Sequence, residues 1–281
     1  MQLRLRLNAR HDSLSAELLL RLGAAVRETS WEHFRNPWTG ASLSDPGCKR
    51  STNEDRCAFV VPSEPELLRS KGVLGIVADG MGGHAAGEVA SAMAVDIVSR
   101  NYFGSAASPR SALLHAFQRA NHEIFQVGQQ EERRGLGTTC TALAIIDRQV
   151  VWVHIGDSRL YRLRRGRVAQ LTEDDSEVHA LIRRGWITAQ EARHHPRRNL
   201  LCRALGVDAD IQPSCSPESA TARWSDRYLL CSDGLHDTVE ESELRTTLAR
   251  DEPEAACAQL IQLARASGGP DNITGLIIAT H

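Results

Sequence analysis

The chain lacks any surplus of charge. Its 281 residues carry 33 Lys and Arg against 35 Asp and Glu, a net charge of −2. That excludes the basic field nucleic acid would demand, and no acidic tail is present. Lys is scarce beside Arg. No apolar run approaches the roughly 18 residues of a membrane span. The basic start MQLRLRLNAR leads into SAELLLRLGAAV, whose short apolar core contains Arg21 and offers no cleavage site, so no signal peptide is expected. The cysteines at 48, 57, 140, 202, 215, 231 and 257 form no C-x-x-C pair. An odd number without a framework implies a reducing, cytoplasmic setting. Cys140 and Cys231 lie in apolar runs, where free Cys serves as a small hydrophobe. Internal repeats and low-complexity tracts are also missing.

What is present is an ordinary globular composition, 42% hydrophobic and 24% charged, long enough for one large domain or two smaller ones. Residues 1–38 read as an N-terminal extension: SLSAELLLRLGAAVRE suits one amphipathic helix, and Pro37 and Gly40 break the pattern after it. Residues 39–281 read as the folded domain. Within it, Val73–Ala78 is expected as a strand, and Ala86–Tyr102 and Arg110–Val127 as helices, the second capped by Ser108 with Pro109 at its first position. Thr138–Ile146 and Val150–Ile155 flank Asp147-Arg148-Gln149 as a hairpin, and Arg159–Leu163 and Val168–Leu171 flank Arg165-Gly166 as another. Residues 173–206 read as polar and helical, Arg227–Cys231 as a strand, Glu254–Ala266 as a helix and Ile273–Ala279 as a last strand. Consecutive hairpins with grouped helices imply an α+β fold, a sandwich of mainly antiparallel sheets.

Three apolar runs end in Asp followed by a small residue: VLGIVAD before Gly80, VVWVHIGD before Ser158, and RYLLCSD before Gly234. A fourth, Asp271 in GGPDNITGLIIA, stands just ahead of a strand. One such Asp is ordinary turn chemistry. Four strand-edge carboxylates with no Lys beside them would repel at one rim unless cations separated them. An all-oxygen donor set, with no His or Cys cluster at metal spacing, suits Mg²⁺ or Mn²⁺ rather than Zn²⁺. Gly80 would let its carbonyl turn toward a metal, and Gly82-Gly83 would let backbone and substrate approach closely. Two such ions about 4 Å apart can deprotonate a shared water and balance charge on a phosphoryl group. SDPGCKRSTNED adds Arg50, whose planar guanidinium can grip two phosphate oxygens, followed by Glu54 and Asp55.

With these residues in view, the chain resembles the metal-dependent Ser/Thr protein phosphatases of the PPM, or 2C, type, and in particular their bacterial branch. The likeness runs over roughly residues 42–280. SDPGCKRSTNED, ADGMGGHAAGEVAS, GTTCTA, HIGDSRLY, LCRALG, LLCSDGLHD and GGPDNIT follow one another in the family's order. The resemblance implies a central antiparallel β-sandwich flanked by helices, with a mobile flap at about 172–206. It implies hydrolysis of phosphoserine and phosphothreonine by a metal-activated water, with two tightly bound Mn²⁺ or Mg²⁺ ions and room for a third. Asp79 would bridge both ions, Gly80 offering its carbonyl, with Asp233 and Asp271 completing the first site. Glu54 and Asp55 would be the acidic pair beside the centre, Arg50 the phosphate clamp, and Asp157 and Asp237, with Asp233, the third-metal residues. Met81 stands where eukaryotic relatives often carry a His; His84, three residues on, is the candidate proton donor. Residues 1–38 have no template in the family. The implied partners are phosphorylated proteins and a cognate bacterial Ser/Thr kinase, for a monomer that binds no nucleic acid.

Two other readings fit part of the sequence. GDSRL at 156–160 with D-x-x-H at Asp233–His236 mimics a GDSL-type serine esterase, in which Ser158 attacks and His236 is the base. That reading leaves Asp79 and Asp271 unexplained. A non-catalytic phosphoprotein-binding module is the other rival, but every expected metal position is filled. No Cys is followed six residues later by Arg, and D-x-D-x-T and P-loop patterns are missing. Arg183, Arg184, Arg193, His194, His195, Arg197 and Arg198 make the flap locally basic, either to contact phosphorylated substrate or as a solvated helix face.

Overall fold

The structure, a computed structural model, describes residues 37–82, 86–130, 135–192, 194–250 and 252–280. The helix expected before residue 37 lies outside them. Eleven strands appear among the described residues: β1 Trp38–Asp45, β2 Asp55–Val60, β3 Val73–Met81, β4 Gly137–Thr138, β5 Cys140–Ile146, β6 Gln149–Ile155, β7 Arg159–Arg164, β8 Arg167–Gln170, β9 Ser214–Cys215, β10 Arg227–Cys231 and β11 Ile273–Thr280. The helices are α1 Pro65–Lys71, α2 Ala86–Gly104, α3 Pro109–Gly128, α4 Glu177–Arg183, α5 Ala189–Ala192, α6 Asp233–His236, α7 Glu241–Leu248 and α8 Pro253–Ala266.

The strands form two antiparallel sheets, ordered β1-β11-β10-β7-β8 and β2-β3-β5-β6-β9, with β4 paired to β3 outside that path. Strand periodicity explains the layering. On β3, Leu74, Ile76 and Ala78 bury against α2 and α3, while Val73 and Val77 face the other sheet. On β11, Leu276 and Ile278 fill the space between the sheets and Ile277 packs beneath α8. Helices, sheet, sheet, helices is therefore the order of layers, as expected for the α+β sandwich. Each fully buried Leu or Ile contributes about 1.5–3 kcal/mol, and truncating Leu74 or Ile277 to Ala would cost about 2–5 kcal/mol.

Ser108 caps α3 as its sequence suggests, accepting the Ser111 N–H. Both hairpins form, with left-handed turn residues at Asp147 (φ 52°) and Arg165 (φ 51°). The first strand, however, begins at Trp38, inside the stretch read as a break: Trp38 is 4% exposed and pairs with Thr280. Residues 172–206 are less helical than expected. Among the described residues there, only α4 and α5 form among turns, tied by bridges from Ser176 to Leu201 and from Leu205 to Thr138. Among the described residues no helix is long and apolar enough to cross a membrane.

Candidate metal centre

Strand register brings the acids together. β2 and β3 pair with Asp55 opposite Asp79. In the other sheet, Cys231 pairs with both Gly275 and Arg159. Asp233 lies two residues past Cys231, Asp271 two before β11, and Asp157 two before β7, so all three stand at the same edge. The chain crosses from one sheet to the other through Gly156, Asp157 and Ser158. These edges meet in an open cleft of about 390 Å³ lined by Arg50, Glu54, Asp79, Gly80, Asp157, Asp233 and Asp271, with flap residues 199–204 along one side.

The acids are crowded and poorly solvated. Burial pushes the Asp79 carboxyl well above the usual range, and Asp55, Asp233, Asp157 and Asp271 push it further. Asp55, 1% exposed, is pushed up to about 6 by burial, a rise limited by hydrogen bonds from Thr274 and Ser232 and enlarged by Asp233. Asp157 is pushed up to about 7 by burial and by Asp233, with His236 opposing. Asp233 is raised by burial, then by Asp271 and Asp237 against the pull of His236. Glu54 is raised by burial, with Arg50 opposing. The Asp237 carboxyl, beside His236 at 3.1 Å, is held low: burial raises it, and the His236 contact more than compensates.

The donor set fits hard cations. Asp55 Oδ1 and Asp233 Oδ1 are buried and find no hydrogen-bond partner. Leaving carboxylate oxygens in that state is costly unless protons or cations satisfy them. Among the described residues no three His, Cys, Asp or Glu side chains are already spaced around one ion position. Instead Asp55, Asp79 and Asp233 crowd one another, Asp233 raising the carboxyl of Asp55 and both raising that of Asp79, as like charges do until cations separate them. Arg50 is half exposed, and its guanidinium donates to Asp271 Oδ2 at 2.7 Å. It is at the cleft, and an incoming phosphate would compete for it with that carboxylate.

Glycine has a sharper role than carbonyl access alone. A Cβ at Gly80 would lie 2.0 Å from the Gly87 carbonyl oxygen and 2.8 Å from that of Glu54, so the Asp79 strand can approach α2 only through Gly80. His84 and Gly83 lie outside the described residues.

Several positioning residues carried no signal strong enough to single out. Thr139 Oγ1 accepts the Asp79 N–H at 3.0 Å, and the Thr138 hydroxyl donates to the Asp79 carbonyl at 2.9 Å. Asn272 accepts the Glu54 N–H at 2.8 Å and donates to the carbonyls of Pro46 and Thr52, fixing the loop that carries Arg50. Ser232 donates to Asp55 Oδ2 at 2.7 Å. Their motifs, GTTCTA, PDN and CSDG, are visible in the sequence, but only the Asp residues of the last two stand out there.

The esterase geometry is missing. Ser158 is fully buried and shares a 2.5 Å hydrogen bond with Thr139, while His236 Nε2 donates to the Asp157 carbonyl at 3.1 Å. No base faces Ser158, and no substrate reaches it.

Known proteins share this sequence pattern and fold. The family model for protein phosphatase 2C matches residues 49–263. The chain belongs to that family. It is 39% identical over 239 residues to the serine/threonine protein phosphatase PstP of Mycobacterium tuberculosis, covering 84% of this chain and 44% of PstP. It thus spans less than half the length of that relative. With the protein phosphatase PhpP of Streptococcus pneumoniae it shares 37% identity over 244 residues, 85% of this chain and 96% of PhpP. Among solved structures, the serine/threonine phosphatase of S. agalactiae superposes with a TM-score of 0.79 at 30% identity, covering 87% of this chain and 100% of the other. The PstP catalytic domain in complex with two manganese ions gives 0.74 at 36% identity, over 86% and 97%.

Proposed function

We propose that this chain hydrolyses phosphoserine and phosphothreonine in proteins, using a water activated by divalent cations at the rim of the sandwich. One observation carries the reading: Asp79, Asp157, Asp233, Asp271 and Arg50 share one cleft, with Asp55 buried opposite Asp79 and buried carboxylate oxygens of Asp55 and Asp233 left unpartnered.

Asp79, Asp233 and Asp271, the Gly80 carbonyl and the acids Glu54 and Asp55 are the groups to hold two Mn²⁺ or Mg²⁺ ions. Asp157 and Asp237, with Asp233, are the groups for a third and weaker one. When bound, such ions lower the pKa of a coordinated water and offset phosphoryl charge. Arg50 leaves Asp271 to grip two phosphoryl oxygens and aligns the phosphorus with the attacking water. The water oxygen bonds to phosphorus as the bond to the Ser or Thr oxygen breaks, and that oxygen takes up a proton. The buried Thr138 and Thr139 hydroxyls hold the Asp79 backbone in place, and the Ser158 hydroxyl ties the turn after Asp157 to Thr139.

The substrates on this reading are phosphoproteins made by a bacterial Ser/Thr kinase, and the chain works as a monomer in the cytoplasm. The test is turnover of a phosphothreonine peptide by metal-free protein as Mn²⁺ is added. Activity should rise from none with the added ion; robust activity under exhaustive chelation, or activity on acyl esters alone, would refute the proposal.

A further inference from the structure

Asp175 stands where the chain enters the flap, and it is only 7% exposed. Its carboxylate has two donors from distant parts of the sequence. Oδ2 accepts the Gly156 N–H at 3.1 Å, and Oδ1 accepts the guanidinium of Arg203. The backbone closes the same junction: the Asp175 N–H donates to the Gly156 carbonyl at 2.7 Å, and the Cys202 N–H donates to the Asp175 carbonyl at 2.6 Å.

Gly156 immediately precedes Asp157. It adopts φ +107°, and a Cβ there would come 2.5 Å from Thr139 Cβ, so this turn has little freedom to settle elsewhere. Arg203 lies at the far root of the flap, lines the cleft, and also donates to the Gln212 carbonyl at 2.9 Å. One buried carboxylate thus joins three segments: the turn bearing Asp157, the first flap residues and the last. A buried carboxylate of this kind depends on its cationic partner, and losing that partner leaves it costly to keep in place. Movement of the flap root that withdraws Arg203 is therefore felt at the 156–158 turn.

We propose that Asp175 is a positioning residue that couples the flap to Asp157. With Arg203 on its carboxylate the turn is fixed; with Arg203 withdrawn the turn is released. The consequence for metal binding rests on the proposed role of Asp157 as a cation ligand, whereas the coupling itself does not.

Hydrogen exchange of the full-length, metal-free protein tests the coupling directly. Arg203→Ala should accelerate exchange about fivefold or more in a peptide spanning 153–160 as well as in the flap root at 199–206, with α3 at its wild-type rate. Arg203→Lys should restore both peptides to within about twofold of wild type, because it keeps the charge. Should the whole chain loosen, the double variant decides: on an Asp175→Ala background, Arg203→Ala should add less than about twofold at 153–160, since both act through one contact. The functional readout is the Mn²⁺ concentration for half-maximal turnover of a phosphothreonine peptide, which should rise about threefold or more in Asp175→Ala and Arg203→Ala and return in Arg203→Lys. If Asp157→Ala leaves that concentration unmoved, the cation role of Asp157 fails, and the exchange data alone judge the coupling. Acceleration confined to 199–206 in Arg203→Ala, or additive effects in the double variant, would overturn it.

Discussion

The two ends of β10 each carry an Asp with a buried carboxylate oxygen, and they are built in opposite ways. At the start, Asp226 is fully buried and saturated: Arg164 donates through Nε at 2.7 Å and through Nη2 at 2.5 Å, the Arg223 N–H at 2.8 Å and the Tyr228 hydroxyl at 3.2 Å. Burial pushes its carboxyl up, but the Arg164 fork and the Arg223 N–H more than reverse this and hold it below the usual range. At the other end Asp233 has a buried oxygen without a partner, other carboxylates around it, and a raised carboxyl. One end stores stability in a finished ion pair. The other is left unfinished by the chain's own donors, and on the proposed reading cations complete it. Burial alone does not separate structural acids from functional ones; the supply of donors does.

The largest effect expected from breaking this contrast is on turnover. Asp79→Ala should lower kcat on a phosphothreonine peptide by roughly a thousandfold or more while the protein stays folded, because it removes the acid at the centre of the cluster. Retention of more than about a tenth of the activity, a loss below roughly 1.4 kcal/mol, would remove Asp79 from the centre. Asp226→Ala should do the reverse. Urea unfolding should show a loss of about 3 kcal/mol from the broken Arg164 pair, with kcat/KM of the folded protein unchanged.

Arg50→Ala comes next. One charge-assisted bidentate contact to phosphate is worth roughly 1.5–3 kcal/mol, so kcat/KM should fall about 10- to 200-fold while Mn²⁺ binding is little altered. An unchanged kcat/KM would make Arg50 a surface residue paired with Asp271 and nothing more. The smallest change should come from Ser158→Ala, which removes a buried hydrogen bond worth about 1 kcal/mol and should cost less than about tenfold in kcat. A dead enzyme there would revive Ser158 as a nucleophile.

The ends also differ in how stability responds to pH. Asp226, with a depressed folded carboxyl, contributes stability that is complete above the ordinary value near 3.8 and is lost as pH falls through its folded value. For Asp55 and Asp157 the sign is opposite, because the folded state binds protons more tightly than the unfolded one. Without metal, stability should therefore decline as pH rises from about 4 to about 7, the window set by shifts from 3.8 to about 6 and about 7. Thermal melts of metal-free protein across that window should show the decline, and saturating Mn²⁺ should remove it. A Tm that climbs steadily from pH 4 to 7 without metal would contradict the crowding.

Much of the candidate metal centre was legible because its acids end conspicuous apolar runs. VLGIVAD, VVWVHIGD and RYLLCSD announce a strand and then a carboxylate, and each of those Asp residues lies at the cleft. The first strand was hidden because WTGASLSD is small and polar and mostly half-buried, so neither apolar alternation nor length reveals it. The flap read as more helical than it is because polar residues at helical spacing say nothing about which tertiary contacts will hold them. Gly80 was conspicuous, but its packing role was not. The backbone it must clear belongs to Gly87, and that approach exists only once α2 has docked on β3. Asp175 and Asn272 escaped notice because their partners, Gly156 with Arg203 and Glu54 with Thr52, lie 19 to 220 residues away.

The central claim is that the acid cluster is completed by cations, and calorimetry of Mn²⁺ binding to metal-free protein near pH 6 tests it most directly. The account predicts two ions bound per chain, with a heat that varies with the buffer's ionisation enthalpy because the raised carboxyls of Asp79 and Asp55 must release protons as the ions enter. It predicts that Asp79→Ala binds neither ion tightly. Equal binding by wild type and Asp79→Ala, or binding without proton release, would contradict it.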